Sequence, residues 1–130
     1  MILDTSAIVA ILQGEPEAEE FAALIEGADR LLISAATAFE ASIVLGRARQ
    51  EVLDEFLTTA GAQVEPVDAV QLSIARDGYQ RYGRGSGSAA RLNFGDCFSY
   101  ALAIATDLPL LFKGSDFVHT DVRVAAVHGD

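Results

Sequence analysis

The chain holds one cysteine. Cys97 has no partner for an internal disulfide or for a Cys-x-x-Cys metal or redox motif, which agrees with a reducing compartment and a place in the core. Histidine is as scarce, with His119 and His128 both near the tail, so a zinc site of imidazole and thiolate ligands is not expected. Long apolar runs are missing too: the longest are about ten residues, against roughly 20 for a membrane-spanning helix. The opening Met1-Ile2-Leu3-Asp4 lacks the basic start of a secretory signal, and a cytosolic protein without membrane association is expected. Basic residues are few, 9 Lys and Arg against 19 Asp and Glu, for a net charge of −10. That balance disfavours sequence-independent binding to a polyanion. Acids gathered around a cation would be partly neutralised, however, and Arg47, Arg49, Arg76, Arg81, Arg84, Arg91 and Lys113 are available to line one rim. A negative surface also invites a basic partner.

What is present is apolar patterning. At 130 residues, half of them apolar, the chain has the size of one domain, taken as residues 1–130. Met1-Ile2-Leu3 forms a short strand that stops at a polar tip, Asp4-Thr5-Ser6. Ala7 to Leu12 then continues with helical density until Gly14. Glu17 to Ile25 repeats at helical spacing, and Leu31-Leu32-Ile33 is a second strand stopped by Ser34. Ala38 to Leu45 forms a helix capped by Thr37 or Ser34, with Glu40 in its first turns. Residues 51–59 suggest a further helix, Ala62 to Val67 a strand, and Ala69 to Tyr82 a long helix with Val70, Ile74, Ala75 and Tyr79 inward.

Gly83-Arg84-Gly85-Ser86-Gly87-Ser88 is a flexible loop, too short to separate domains. Asn93-Phe94-Gly95-Asp96 leads into an almost wholly apolar helix, Cys97 to Ile104. Pro109 to Phe112 is a strand, and Val122, Val124, Ala126 and Val127 finish as a last one. Strands alternating with helices imply an α/β fold: a central, mainly parallel sheet with helices on both faces.

In such sheets, ligands bind beyond the carboxyl ends of the strands. Asp4 ends the first strand, Glu40 lies shortly after the second, Asp96 begins the apolar helix and Asp116 follows the strand Leu110 to Phe112. Four carboxylates converging on one crevice cost about several kcal/mol in repulsion and desolvation unless a cation neutralises them. Mg²⁺ suits oxygen ligands, needs only one or two direct carboxylates and keeps several waters. The chemistry such a site serves is hydrolysis of a phosphodiester by an ion-activated water.

These residues resemble a family. Asp4-Thr5-Ser6-Ala7 after the first strand, Phe39-Glu40, Asn93-Phe94-Gly95-Asp96-Cys97-Phe98-Ser99-Tyr100-Ala101, Leu111-Phe112-Lys113-Gly114-Ser115-Asp116-Phe117 and Thr120-Asp121-Val122 look like the PIN-domain toxins called VapC. The Asn-Phe-Gly-Asp and Lys-Gly-x-Asp-Phe runs are the specific parts. The resemblance implies a doubly wound PIN-like domain, usually a homodimer, that cleaves RNA with Mg²⁺ or Mn²⁺ and is silenced by a VapB antitoxin whose tail covers the active site. It makes Asp4 and Asp96 direct metal ligands, Glu40 a ligand or water-positioning acid and Asp116 the fourth acid, with Ser6 helping to hold the site. Many PIN domains carry the fourth acid two positions earlier in a Thr-x-Asp run, which here falls on Phe112 and Gly114. Asp116 lies nearest the strand end, and Asp121 is the fallback.

Plainer roles exist for each residue. Asp4 and Asp96 could be helix caps, and Asp116 and Asp121 turn formers. Glu15, Glu17, Glu19, Glu20, Glu51, Asp54 and Glu55 read as exposed helix faces without a role. Tyr79, Tyr82 and Phe94 could stack on RNA bases, although core or interface packing is the commoner fate. The Gly-Arg-Gly-Ser-Gly stretch lacks the Gly-Lys-Ser/Thr ending of a phosphate-cradling loop and suits a substrate-side loop better. Among other functions, a phosphorylatable receiver domain wants an acidic pair after the first strand, where Asp4 is followed by Thr5. A haloacid-dehalogenase-like phosphatase wants an aspartate where Ser6 stands. A catalytically idle partner-binding or RNA-binding PIN module remains as an alternative.

Overall fold

The computed structural model describes residues 1–126. Among them, four short strands form one sheet: β1 (Ile2–Leu3), β2 (Leu32–Ser34), β3 (Gln63–Glu65) and β4 (Leu110–Leu111). Their order is β3-β2-β1-β4 and every neighbour is parallel. The helices are α1 (Thr5–Leu12), α2 (Ala18–Glu26), α3 (Ala35–Leu45), α4 (Gln50–Ala60), α5 (Ala69–Tyr82) and α6 (Phe94–Thr106).

Successive strand residues point to opposite faces, and that alternation divides the core. Leu3, Ile33 and Leu111 join Ala7, Ile8, Phe21, Ala41 and Leu53 on the α1–α4 side. Ile2, Leu32 and Leu110 join Leu92, Cys97, Tyr100 and Leu102 on the other, with Ile74 and Ala75 of α5 packed against them. Because β1 lies between β2 and β4, the sheet has its switch point there, and the carboxyl ends of these strands open on one crevice. The strands at this point are buried throughout, whereas β3, at the edge, exposes Gln63 and Val64.

Several elements differ from expectation. Thr5 and Ser6 belong to α1 rather than to a polar tip, with Asp4 as its N-cap. Ser34 caps α3, accepting from Ala36 N, while Thr37 is buried within the helix. Helix α6 starts at Phe94, three residues early, because Asn93 accepts from Asp96 N while Asp96 accepts from Asn93 N. This reciprocal capping box satisfies two otherwise orphaned amides, so the cap is Asn93 and not Asp96.

On α5, Val70 and Tyr79 are 63% and 44% exposed instead of inward. Gln71 and Gly78 are buried in their place, and a Cβ on Gly78 would collide with the Tyr100 ring. The helix therefore approaches along its smallest residue. The final strand shrinks to a single parallel bridge, Leu110 to Val124, held by Leu110 N to Arg123 O at 2.8 Å and Ala125 N to Leu110 O at 2.9 Å. Val124 is half exposed; Val127 lies outside the described residues. No described helix is long and apolar enough to cross a membrane.

Candidate active site

Strand β1 delivers Asp4 to the crevice, 4% exposed. Its Oδ2 accepts from Ser6 N at 3.1 Å and Ser6 Oγ at 2.6 Å, and its Oδ1 accepts from Ser99 Oγ of α6 at 2.6 Å. Ser6 Oγ in turn accepts from Lys113 N at 3.0 Å, which ties the segment after β4 to Asp4. Since the Ser99 proton goes to Asp4, the 3.2 Å contact between Thr37 Oγ1 and Ser99 Oγ is donated by Thr37. Asp4 is thus both a helix cap and a carboxylate compensated by three donors.

Glu40 is half-buried on α3. Its apolar neighbours Phe39 and Ile43 are 67% and 64% exposed, so they do not cover it, contrary to what their sequence proximity suggests. What holds it is Thr5 Oγ1, donating to Glu40 Oε1 at 2.5 Å, and the bare backbone of Gly95, where a Cβ would run into the Glu40 carboxylate. A glycine beside Asp96 therefore makes room for a second acid.

Asp96 accepts one backbone hydrogen bond, from Asn93 N at 3.0 Å. Burial pushes its carboxyl up to about 6; that amide opposes the shift, and the charges of Asp4, Asp116 and Glu40 add to it. The other three acids singled out from sequence thus lie close enough for their charges to reach Asp96. Asp116 is the outlier in setting: it is exposed, on the segment after β4, and precedes a short 3-10 turn over Phe117–His119 without capping it. The fallback, Asp121, is engaged elsewhere, accepting from Tyr100 Oη at 2.7 Å and from Arg81 Nη2 at 3.4 Å. Glu15 and Glu17 are not idle helix faces, since both pair with Lys113, at 3.0 and 3.3 Å.

Among the described residues no three Asp, Glu, His or Cys side chains are gathered closely enough to hold a metal ion by themselves. The donor set is nevertheless all oxygen, and Asp96 carries a charge that one amide and its neighbours leave uncompensated. Both features fit a hard divalent cation that needs one or two direct carboxylates and retains water. Cys97, beside Asp96, donates to Asn93 O at 3.2 Å; burial and Asp96 push its thiol up to about 11, so it is an inert core residue.

Sequence reasoning missed Thr5, Thr37, Gly95 and Ser99. Ser99 left a trace, standing three residues after Asp96, on the same face of an otherwise apolar helix. Thr5 and Thr37 left none, because their roles depend on how α1 meets α3.

Residues 1–123 match the family model described as PIN domain. The ribonuclease VapC28 of Mycobacterium tuberculosis is 50% identical over 129 residues, covering 96% of this chain and 97% of its own. The fold is similar to the crystal structure of Mycobacterium tuberculosis VapC20, described as a sarcin-ricin loop cleaving toxin, with TM-score 0.71 and 18% identity over 94% of this chain and 98% of that one. A toxin–antitoxin complex from Klebsiella pneumoniae has TM-score 0.70 and 19% identity over 92% of each chain. With acids at the carboxyl ends of a parallel sheet and this likeness over nearly its whole length, the chain belongs to the PIN domain family, alongside the VapC ribonucleases.

Proposed function

We propose that the chain is a Mg²⁺-dependent endoribonuclease, with Mn²⁺ as a substitute, acting as a single domain in the cytoplasm as the toxin of a VapBC pair. The observation that carries this is the gathering around the first turns of α6 of Asp4, bonded to Ser99, of Glu40, seated on Gly95, and of Asp96 itself, with the charge of Asp116 within reach, in a chain half identical to a named VapC ribonuclease. When bound, a divalent ion supplies a lowered pKa for the attacking water and positive charge for the leaving oxygen.

The protein's own part divides among the acids. Asp4, oriented by Ser6 and Ser99, is a fixed ligand that needs no rearrangement. Asp96 is the second ligand, with its charge reserved for the ion. Glu40, aimed by the Thr5 hydroxyl and seated on Gly95, has one oxygen left to orient a water and take up its proton. Asp116, exposed at the mouth, contributes charge from the solvent side.

A VapB-type antitoxin is the expected partner, supported by the likeness to the toxin–antitoxin complex from Klebsiella pneumoniae. A homodimer is expected as well; Ile43 and Val44 of α3, Val64 of β3 and Val70 of α5 are each more than half exposed and offer apolar contacts to a second copy. The test is cleavage of an RNA pool by purified, antitoxin-free protein with Mg²⁺ or Mn²⁺, with and without EDTA. Metal-dependent cleavage is expected. Binding without cleavage in either metal would instead favour an idle RNA-binding module.

A further inference from the structure

A chain of net charge −10 whose proposed site is a group of four acids has to hold a polyanion with few cations, and most of its cations are committed or remote. Arg81, Lys113 and Arg123 are ion-paired with Asp77 and Asp121, with Glu15 and Glu17, and with Asp107. Arg49 donates to Leu12 O. Arg84 and Arg91, by contrast, are exposed and form no ion pair among the described residues, and both lie on the segment that runs into α6 and Asp96.

The backbone brings these two together. Gly85 and Gly87, at φ 84° and 89°, turn the chain back on itself. Arg84 N then donates to Leu92 O at 3.0 Å, and Leu92 N to Tyr82 O at 2.9 Å. Ala90 and Leu92 are fully buried, so the loop is anchored at its returning end. Arg91 itself sits at φ 53°, in the left-handed region. Two residues beyond Leu92, Phe94 is 80% exposed, the most exposed large apolar side chain described. Its ring is braced edge-on against Phe98, centroids 4.9 Å apart, and it stands two residues before Asp96 on the same helical turn.

An exposed, braced aromatic ring next to unpaired arginines is the arrangement by which proteins hold unpaired nucleotides, with bases stacked on the ring and phosphates neutralised beside it. We propose that the segment from Arg84 to Phe94 is the platform for single-stranded RNA entering the acidic site: Arg84 and Arg91 neutralise backbone phosphates, and Phe94 stacks on an unpaired base next to the scissile position. The proposal rests on the ribonuclease assignment above and adds the residues of this chain that hold the strand.

The test is binding of fluorescein-labelled single-stranded RNA of mixed sequence, with Mg²⁺, on an Asp4→Asn background so that the strand is not cut. Each substitution is also placed in the otherwise wild-type chain for cleavage. Arg84→Gln with Arg91→Asn, the asparagine chosen because it tolerates the left-handed backbone, should reduce the log–log salt dependence of binding by about 1.4, roughly 0.7 per phosphate contact. Phe94→Ala should weaken binding about tenfold or more without changing that slope, and Phe94→Tyr should retain affinity. A duplex of the same sequence should bind less tightly than the single strand. Arg84, Arg91 and Phe94 are all surface side chains, so circular dichroism and thermal midpoints should match the parent.

If the folded variants bind and cleave like their parents, the platform is overturned while the nuclease stands. If Phe94→Ala changes the mass in solution but not RNA affinity, Phe94 belongs to an interface between copies, which also overturns it. If the wild-type chain binds RNA through these residues but never cuts it with either metal, the nuclease assignment fails and the platform survives.

Discussion

The two ends that meet at the crevice, the carboxyl end of β1 and the first turn of α6, treat their aspartates in opposite ways. Asp4 is nearly fully buried yet receives three hydrogen bonds, two from Ser6 and one from Ser99. Asp96 is less enclosed but has a single amide and three acidic neighbours, and its carboxyl is pushed up to about 6. Burial is the main cause of the rise at Asp96, its one amide opposes it, and the neighbouring acids add to it. One carboxylate is thus fully furnished with donors, while the other is left with a single amide.

The largest effect that would sharpen this contrast is on catalysis. Asp4→Asn and Asp96→Asn should each lower RNA cleavage well beyond the roughly 10–100-fold typical of losing an outer hydrogen-bond partner. Their stabilities should diverge. Asp4→Asn presents an amide N–H₂ to donors and should destabilise the fold, whereas Asp96→Asn removes an uncompensated charge and keeps an oxygen for Asn93 N. Metal-free Asp96→Asn should gain roughly 1–2 kcal/mol at neutral pH, after discounting for partial exposure, which is a rise of a few degrees in thermal midpoint. Equal destabilisation of both variants would break the contrast.

The pH dependence follows with its sign. Asp96 ionises at about 6 in the folded chain against an ordinary 3.8, so between these values the native state holds a proton that the unfolded state has lost. The metal-free protein should therefore lose stability as pH rises through this window. Metal affinity and cleavage should rise over the same window, and the midpoint should move to lower pH as metal concentration increases. A flat stability profile for wild type, or one identical to that of Asp96→Asn, would contradict the assignment.

Next in size is Gly95→Ala, whose methyl displaces the Glu40 carboxylate. Alanine otherwise favours a helix by up to about 1 kcal/mol over glycine, so the variant should fold yet lose activity on the order of 10- to 100-fold, as misplaced groups do. The smallest effect separates the two candidates for the fourth acid: Asp116→Asn should reduce cleavage modestly, whereas Asp121→Asn should leave cleavage intact and lower thermal stability by loosening Tyr100. The reverse pattern would move the fourth acid to Asp121.

How far the site can be read from residues follows from what each position depends on. The positions of Asp4 at a strand end and of Asp96 at a helix start are legible because those signals are local. The α/β alternation is legible for the same reason. Gly78, Gly95 and Thr5 are not, because each matters only through a residue more than 20 positions away: Tyr100, Glu40 and Glu40 again, with 22, 55 and 35 positions between. Val70 and Tyr79 misled because apolar periodicity marks a helix's greasy stripe but not which neighbour it meets; a glycine contact overrode it. The last strand fades to one bridge, because only Val124 of its described residues pairs with β4, where Leu110 N and Ala125 N make its two hydrogen bonds.

The most direct measurement is the thermal midpoint of wild type and Asp96→Asn with and without Mn²⁺, in the absence of RNA. Wild type should start lower and rise with Mn²⁺ as binding to the native state pulls the equilibrium, while Asp96→Asn should start higher and scarcely respond. A wild-type midpoint indifferent to Mn²⁺ and Mg²⁺, or an equal response in the variant, would contradict a cation site built on Asp96.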